Sequence, residues 1–430
     1  MSLHKQQIKR VLIASGAFKD VFTPQEACAM IAKGMRDVLS HEVDIELQPM
    51  VDGGECSSDV LSACLGYEKK RVLDLVDPVG HAGQSEYVQI DDDTVFIATS
   101  SVMALPPIYG DEFRNPLLLT SYGFGQMIKE AHRRGAKNII VGFGGTSTVD
   151  GGLGMLQALG AAVEDKNGRP LVPSSGGAYY TGADLAQVGR INCDGVCLAY
   201  HNLSIKALCD TTISVRKITI PTALKVGKYY EQGKAKIVQD LEAALLQFSY
   251  LIEGQEFAKI ILRQWPGGER LVDKNFFGVA GGVLMGMISI FHVTPVLGVD
   301  YFIDLFKIDE KVRRADLVVS GEGRFDISLT GKTPSGIARI AQKHHKPFVC
   351  VCGTVSDEFK TYFNSGICRS LPEQIEKAGL SIIMSCHPEY TKEAVAKSYH
   401  EEMAYYRNET PKILLKRWGE FFNNADGISS

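Results

Sequence analysis

The sequence lacks a strong excess of charge of either sign. Its 430 residues include 46 Lys and Arg against 50 Asp and Glu, which gives a formal net charge of −4. Proteins that bind nucleic acids usually carry a clustered basic surface, and the short segments HRRGAK and KVRRAD are too small to supply one. We therefore expect no nucleic-acid partner, and we interpret these segments as solvated helix ends.

Paired cysteine motifs are also absent. The ten cysteines form no CxxC pair and have no HxxxH motif near them, so their spacing does not indicate a structural zinc site. In a chain of this length, such cysteines are typical of reduced, mostly buried thiols. This cysteine usage favours a cytoplasmic protein.

Long apolar segments are scarce. The apolar run VLIA near the N-terminus soon reaches Ser15 and Lys19, and it is too short for a signal peptide. Residues 275–299 contain no formally charged residue, and a membrane-spanning helix needs about 20 predominantly apolar residues. Glycines, Thr294 and Pro295 interrupt this segment, so we predict a buried glycine-rich helix here and no membrane association.

Alternating strand and helix patterns occupy both ends of the chain. At the beginning, KRVLIA and VDIELQPM are predicted strands, and TPQEACAMIAKGMRDVL between them has a Thr-Pro start and apolar residues at helical spacing. At the end, the helix TPSGIARIAQKHH separates the predicted strands ADLVVSGEG and KPFVCVCG, and a long helix is predicted from about residue 389 to about residue 422. The pattern predicts a doubly wound parallel sheet built from both chain ends.

The middle of the chain has a different pattern. SEYVQID and DTVFIATS predict a hairpin around three successive aspartates, and TSYGFGQMIKEAHRRG predicts a helix that leads into the strand NIIVGFGG. This mixture favours a second α/β domain inserted into the first. We predict one discontinuous domain of residues 1–63 and 286–430, and an inserted domain of residues 64–285.

Four turns rich in glycine or acidic residues follow predicted strands. They are DGGE at 52–55, GFGGTSTVDGGLG at 142–154, CD at 209–210 and GEGRFD at 321–326. In open parallel sheets, ligands bind outside the carboxyl ends of the strands. These turns are therefore the candidate binding segments.

The longest of these turns has two interpretations. Its glycines would let backbone amides approach an anion closely, and the hydroxyls of Thr146, Ser147 and Thr148 would add donors for a phosphate or carboxylate. Alternatively, the glycines make only a tight strand-to-helix turn in which Asp150 caps the helix. The chain has neither a GxGxxG nor a GxxxxGK[ST] motif here, which argues against the usual dinucleotide and P-loop sites.

The acidic residues of the other turns are also open to several roles. Asp52 and Glu55 could bind Mg²⁺, hold hydroxyl groups or cap the following helix, and Asp210 has the same ambiguity. Glu322, Arg324 and Asp326 could form an ion-paired turn without chemistry or a site for an anion and a metal.

Taken together, these segments resemble the type-1 family of bacterial glycerate kinases, which phosphorylate glycerate with ATP. The resemblance runs in order through VLIASGAFK, DGGE, NPL, GFGGTSTVDGGLGMLQALGA, CD, GVAGG, ADLVVSGEGRFD and GKTPSGIARIAQKHHKP. It implies a two-domain α/β fold with a flavodoxin-like doubly wound parallel sheet and an inserted restriction-endonuclease-like domain. It also implies ATP and Mg²⁺ as cofactors and a small acid as acceptor.

The resemblance assigns roles by matched position, as phosphoryl transfer needs anion clamps, a metal and an acceptor-orienting carboxylate. The catalytic candidates are Asp52, Asp150 and Asp326, and the candidates for binding the acid are Lys19, Glu55, Asp210 and Arg324. The candidates for binding the nucleotide phosphates are Gly144, Gly145, Thr146, Ser147, Gly151, Gly152, Glu322 and Lys332. The sequence assigns neither the metal ligands nor an oligomeric state.

Several positions depart from the family pattern. Gly16 and Ala17 stand where the family usually has an acid and a hydroxyl, Val149 replaces an Asn, and Ala98 replaces a Glu. The losses remove several polar groups at once, while GEGRFD and GKTPSGIA are unaltered. Two functions therefore stay open: a kinase of glycerate or a related small hydroxy acid, and a non-catalytic relative that binds an organic acid or a nucleotide.

Overall fold

The structure is a computed structural model that describes most of the chain. The described residues are 8–18, 21–105, 109, 113, 115–217, 234–265, 270–325, 332–356, 367–368, 383–387 and 399–423. The chain divides into two compact units. Unit 1 comprises Met1–Asp52 and Gly298–Ser430, and unit 2 comprises Gly53–Leu297. The predicted domain boundaries, residues 1–63 with 286–430 and residues 64–285, stay a prediction.

The described residues form the following strands and helices. The strands are β1 (Arg10–Ile13), β2 (Asp44–Leu47), β3 (Glu68–Val76), β4 (Ala82–Gln89), β5 (Thr94–Ala98), β6 (Asn138–Phe143), β7 (Ala162–Asp165), β8 (Val188–Asn192), β9 (Ser204–Cys209), β10 (His292–Leu297), β11 (Leu317–Phe325), β12 (Phe348–Val355), β13 (Ile367–Cys368) and β14 (Ile383–His387). The α-helices are α1 (Pro24–Arg36), α2 (Ser57–Leu65), α3 (Ser100–Met103), α4 (Tyr122–Arg133), α5 (Leu153–Leu159), α6 (Asp194–Ala199), α7 (Lys234–Glu253), α8 (Glu256–Gln264), α9 (Val283–Met287), α10 (Gly298–Leu305), α11 (Ile308–Arg314), α12 (Thr333–Lys343) and α13 (Tyr399–Asn423).

The sheet of unit 1 has the strand order β2-β1-β11-β12-β14-β13. All neighbouring pairs are parallel except β13 with β14, which is antiparallel. Without this edge strand, the order is the 2-1-3-4-5 arrangement of flavodoxin-like sheets, in which the chain reverses direction across the sheet between the first and third strands. The prediction of a parallel α/β sheet built from both chain ends is confirmed.

Apolar side chains cover both faces of this sheet. On one face, Val11, Ile13, Val319, Val349 and Val351 pack with residues of α1 and α13 in one buried core. The intervening residues point to the other face, where α11 contacts β1 and α12 contacts β11 and β12. Because both faces are covered, the strands are apolar runs without polar alternation, as is typical of parallel sheets.

Helix α1 begins as its Thr-Pro sequence predicts. The Thr23 side chain accepts a hydrogen bond from Glu26 N, and the Glu26 side chain accepts one from Thr23 N, which completes a capping box. Arg407 of α13 donates to Val21 O at 2.6 Å and forms an ion pair with Glu26. The Thr23 amide and the Arg407 guanidinium hold the pKa of Glu26 below its ordinary value.

Strand β11 is longer than the sequence indicates. We expected the strand to end before GEGRFD, but it continues to Phe325, and Glu322 and Arg324 lie in register with Cys352 and Thr354 of β12. The partner strand supplies backbone hydrogen bonds that a lone glycine-rich segment cannot reveal. Because residues two apart in a strand share a face, Glu322 and Arg324 point to the same side of the sheet.

The sheet of unit 2 has the strand order β10-β9-β6-β5-β4-β3. Strands β5, β6, β9 and β10 are parallel, and β4 pairs antiparallel with both of its neighbours. The hairpin of β4 and β5 around the three aspartates is confirmed. The carboxyl ends of β5, β6 and β9 therefore lie at one edge of the sheet, where the sequence predicts ligand-binding turns.

The uncharged segment 275–299 is not the single glycine-rich helix that we expected. It contains the short helix α9 and the strand β10, which pairs with β9. Ala280, Gly281 and Gly282 have φ values of 50°, 69° and 86°, and this left-handed backbone interrupts any longer helix. Among the described residues, no helix is long and apolar enough to cross a membrane.

Glycines at the end of β6 allow the backbone of another segment to approach. A Cβ added to Gly142 would lie 2.2 Å from Gly53 O and 2.8 Å from Phe96 Cζ. A Cβ added to Gly144 would lie 2.8 Å from Gly54 Cα. The segment that begins the DGGE motif therefore packs directly on the end of β6, and glycine is required at these contacts.

We expect Gly142→Ala to lower the free energy of unfolding by about 2–3 kcal/mol, because the new methyl group has no space without a backbone shift. Gly195→Ala is the matched control, since no atom lies within 4 Å of its added Cβ. Chemical denaturation of both variants measures the difference. Equal stability of Gly142→Ala and the unsubstituted protein would contradict the packing described here.

Candidate functional site

The first candidate site lies where β1 and β11 end in unit 1, at the point where the strand order reverses. We call it the switch-point site and define it by Ser15, Gly16, Gly321, Glu322, Arg324, Lys332 and Thr333. Gly16 N donates to Gly321 O at 3.0 Å, so the two segments stay paired beyond the end of β1. Ligands bind outside the carboxyl ends of strands at such reversal points, which makes this position a candidate on topology alone.

Close contacts fix the backbone of the switch-point site. Ser320 Oγ donates to Ala14 O at 2.6 Å across the two strands. A Cβ added to Gly321 would lie 2.8 Å from Ser15 Oγ and 3.0 Å from Phe18 Cε1. Glycine is therefore required at position 321. The close contact there fixes the backbone of the strand that carries Glu322 and Arg324.

The charged side chains of this site differ in their environment. Lys332 Nζ donates to Glu322 Oε1 at 3.2 Å, and both side chains are largely buried. Burial, together with the nearby Glu322 carboxylate, raises the pKa of the Cys350 thiol, which keeps that thiol neutral. Arg324 is exposed, and no described residue forms an ion pair with it. The guanidinium of Arg324 is thus the cation of this site that can meet an anion.

Lys19 and Asp326, which the sequence places among the acid-binding and catalytic candidates, lie outside the described residues.

The second candidate site lies at the carboxyl ends of β6 and β9 in unit 2. We call it the glycine-turn site and define it by Gly53, Gly54, Glu55, Gly144, Gly145, Thr146 and Asp210. A Cβ at Gly144 would lie 3.1 Å from Asp210 Oδ2, and a Cβ at Gly145 would lie 2.9 Å from Glu55 Oε1. The two carboxylates therefore flank successive residues of one turn, although they are 155 positions apart in the sequence. Asp52, which is half-buried, directly precedes this site in the chain.

The residues after Gly145 have mostly internal partners. Ser147 N donates to Met103 O at 2.9 Å, and Ser147 Oγ accepts a hydrogen bond from Leu105 N at 2.8 Å. Gly151 N donates to Gly281 O at 3.1 Å, and Gly152 N donates to Asp150 Oδ1 at 3.1 Å. These amides are occupied by the fold, which favours the tight-turn interpretation for the second half of the motif. Gly145 and Thr146 are half-exposed at the carboxyl end of β6, which is where ligand-binding residues are expected.

Asp150 is fully buried and accepts four hydrogen bonds. Its Oδ2 accepts from Ser121 N at 2.8 Å, Ser121 Oγ at 2.7 Å and Gly154 N at 3.2 Å, and its Oδ1 accepts from Gly152 N. Burial raises the pKa of the Asp150 carboxyl, and the four hydrogen bonds oppose that rise. The carboxylate thus joins the start of α4 to the start of α5, as the capping interpretation expects, with no exposed surface for a substrate.

Sequence reasoning missed the residues that support these sites. Thr99 Oγ1 donates to Gly142 O at 2.9 Å and holds the end of β6, and Ser121 holds Asp150. Thr333, the first residue of α12, contributes a buried hydroxyl beside Gly16. Thr333 could have been chosen because it opens a helix directly after a glycine-rich segment, but Thr99 and Ser121 carry no local signal.

The side chains of the two sites supply few metal ligands. Among the described residues, no group of three or more His, Cys, Asp or Glu side chains could hold a metal ion. The pair of Glu55 and Asp210 has the oxygen donors that Mg²⁺ prefers, and Mg²⁺ is commonly held by one or two carboxylates together with substrate phosphates and water. The glycine-turn site therefore fits a Mg²⁺ ion that arrives with a nucleotide better than an all-protein metal centre.

The chain is similar to known proteins along most of its length. A family model described as the glycerate kinase family matches residues 11–399. A glycerate kinase of Haemophilus influenzae is 31% identical over 386 residues, which are 87% of this chain and 94% of that protein. A glycerate kinase of Halalkalibacterium halodurans is 30% identical over 83% of this chain and 88% of that protein, and a glycerate 2-kinase of Escherichia coli is 27% identical over the same shares. A crystal structure assigned as glycerate kinase 2 of Salmonella typhimurium LT2 shares the fold, with a TM-score of 0.65, 22% identity and coverage of 98% of this chain and 100% of that chain.

We expect Asp150→Ala to lower the free energy of unfolding by about 3 kcal/mol or more, because four buried donors lose their acceptor. Asp150→Asn should cost about 1–2 kcal/mol, since its amide oxygen can take the place of Oδ2 and keep three of the four hydrogen bonds. Thermal and chemical denaturation measure both losses. Asp92→Ala, in the exposed β4–β5 turn, is the control and should leave stability unchanged. Full stability of Asp150→Asn with complete loss of activity would instead restore Asp150 as a catalytic candidate.

Proposed function

The chain belongs to the glycerate kinase family, and from this premise we propose that it transfers a phosphoryl group from ATP to a hydroxyl of glycerate or of a related small hydroxy acid. The observation that carries this proposal is the exposed Arg324 at the end of β11, beside the point where the strand order of unit 1 reverses. A carboxylate acceptor needs such a cation, and a planar guanidinium can bind it through two hydrogen bonds.

Unit 1 binds the acid in this proposal. Arg324 meets the substrate carboxylate. Lys332 and Glu322, which the resemblance assigns to the nucleotide phosphates, form an ion pair at this site and are proposed to support Arg324. Lys19 and Asp326 retain their proposed roles as an acid-binding residue and a catalytic carboxylate. A base for the acceptor hydroxyl must lie within hydrogen-bond reach of it, so Asp326 and Asp52 are the candidates after the burial of Asp150.

Unit 2 binds the nucleotide phosphates in this proposal. Gly145 and Thr146 form the half-exposed part of the glycine-rich turn whose position suits a phosphate, whereas Gly144 is buried and its amide donates to Thr99 Oγ1 at 3.3 Å. Glu55 and Asp210, which the resemblance assigns to the acid, lie beside this turn and are reassigned to the nucleotide in this proposal. A bare phosphate would be repelled by two carboxylates, whereas a Mg²⁺ ion between them would compensate the charge. When bound, Mg²⁺ would neutralise charge on the transferring phosphoryl group. In this arrangement Ser147, Gly151 and Gly152 shape the turn.

The alternative is a non-catalytic relative that keeps the fold and binds an organic acid or a nucleotide. The altered positions around the two sites favour it, because Gly16, Ala17 and Ala98 carry no group that could take part in chemistry. A misplaced or missing polar group in an active site weakens binding of the transition state. The alternative predicts ligand binding without turnover.

A coupled assay of ADP release separates the two functions. We expect turnover of at least one acid from a panel of glycerate, tartronate, tetronates and aldonates. Arg324→Ala should raise the KM for the acid about tenfold or more and change the KM for ATP less, because a charge-assisted bond to the carboxylate is lost. Arg339→Ala, on the exposed part of α12, is the matched control. No turnover of any acid by folded protein would exclude the kinase, and a larger effect of Arg324→Ala on ATP would assign this residue to the nucleotide.

A second measurement concerns the metal. Glu55→Gln and Asp210→Asn should each raise the Mg²⁺ concentration required for half-maximal rate severalfold, and excess Mg²⁺ should restore much of the rate, because each variant removes one charged oxygen ligand. Asp92→Asn serves as the control on an exposed acid of unit 2. Unchanged Mg²⁺ dependence in both variants would exclude the glycine-turn site as the position of the metal.

A further inference from the structure

Two glycines face each other at the switch-point site, and only one of them is required by packing. A side chain at Gly321 would collide with Ser15 and Phe18, as described above. At Gly16, the nearest atoms to an added Cβ are Gly321 O at 3.4 Å and Thr333 Cβ and Oγ1 at 3.5 Å, which are ordinary van der Waals distances. Gly16 is also not among the residues with positive φ. Neither the backbone conformation nor a steric contact with a described residue therefore explains the glycine.

The polar side chain of Thr333 borders the space beside Gly16. Thr333 is 4% exposed, but its Oγ1 is not one of the fully buried atoms that lack a hydrogen-bond partner in the described part of the chain. This atom lies 3.5 Å from the point that a Cβ of residue 16 would occupy. Thr333 also begins the eleven-residue helix α12, whose amino end carries a partial positive charge. A hydroxyl in this position can exchange hydrogen bonds with a ligand group placed beside Gly16.

We propose that Gly16 sets the size of the acid that this chain accepts, and that the space beside it receives the additional hydroxymethylene group of a four-carbon hydroxy acid. Thr333 Oγ1 binds the additional hydroxyl of that group, while Arg324 binds the carboxylate. This inference rests on the proposed function for the identity of the acceptor, but the space and its hydroxyl are independent of it. The selectivity follows from chemistry, because a site that hydrogen-bonds a substrate hydroxyl disfavours an analogue that lacks it.

The variant Gly16→Ala tests this proposal, because its methyl group would occupy the space without a steric clash and leave no room for the additional substrate group. We expect the preference for a tetronate over glycerate, measured as the ratio of kcat/KM values, to fall about tenfold or more, which is the effect of one carbon unit in a pocket. The same variant should raise the Tm by about 1–3 °C, because alanine at a compatible φ restricts the unfolded chain. Gly419→Ala in α13, where no atom lies within 4 Å of the added Cβ, should raise the Tm without changing the preference.

Thr333→Val and Thr333→Ser provide the second test. The first keeps the shape and removes the hydroxyl, so it should reduce the preference for the tetronate, and the second keeps the hydroxyl and should retain the preference. An unchanged ratio in Gly16→Ala, or an equal loss for both acids, would overturn the proposal.

Acid-induced shifts of Tm provide a readout that does not depend on turnover. If the protein releases no ADP with any acid, the proposed kinase fails, but a larger shift with the tetronate than with glycerate, lost in Gly16→Ala, would still support the role of Gly16. Equal shifts with the two acids in the unsubstituted protein would overturn it.

Discussion

Close approach of backbone segments at the carboxyl ends of parallel strands is the constraint on which both candidate sites depend. In unit 2, Gly142 and Gly144 let the residues of the DGGE motif lie directly on the end of β6. In unit 1, Gly321 lets the segment after β1 lie against β11. A side chain at any of these positions would separate the segments, and the charged residues next to them would lose their common position. The glycines therefore act mainly by bringing other residues together, and binding an anion through their own amides is secondary.

Much of the fold could be predicted because its signals are local. The strands β1, β11 and β12 are apolar runs, α1 has a Thr-Pro start, and the hairpin of β4 and β5 has alternating residues around a polar turn. The errors occur where the decisive contact is distant in the sequence. The extension of β11 through Glu322 and Arg324 depends on pairing with β12, and the start of α9 at Val283 depends on left-handed backbone at residues 280–282.

The sequence predicted which segments form the candidate sites, but it did not predict the role of each side chain in them. The sequence identifies GFGGTSTVDGGLG as a turn after a strand, yet it cannot show that Asp150 is buried under four donors while Glu55 and Asp210 flank Gly144 and Gly145. Capping and catalysis require the same residue type, and only burial and hydrogen-bond partners distinguish them. The supporting residues Thr99 and Ser121 belong to other segments, so no spacing rule within the motif could find them.

The charges of the two sites are complementary to different parts of a kinase reaction. The switch-point site combines an exposed arginine, a compensated pair of Lys332 and Glu322, and the amino end of α12, and it therefore favours an anion without a metal. The glycine-turn site presents two carboxylates beside the half-exposed residues Gly145 and Thr146, and it favours an anion only together with a cation. A carboxylate acceptor matches the first description, and a magnesium-bound nucleotide matches the second. The resemblance of the sequence to the family implies an acid at position 16 in other members, and such an acid would add a negative charge at the switch-point site. In the function proposed above, glycine at position 16 leaves the site without that charge and with room for the longer carbon chain of a four-carbon acid.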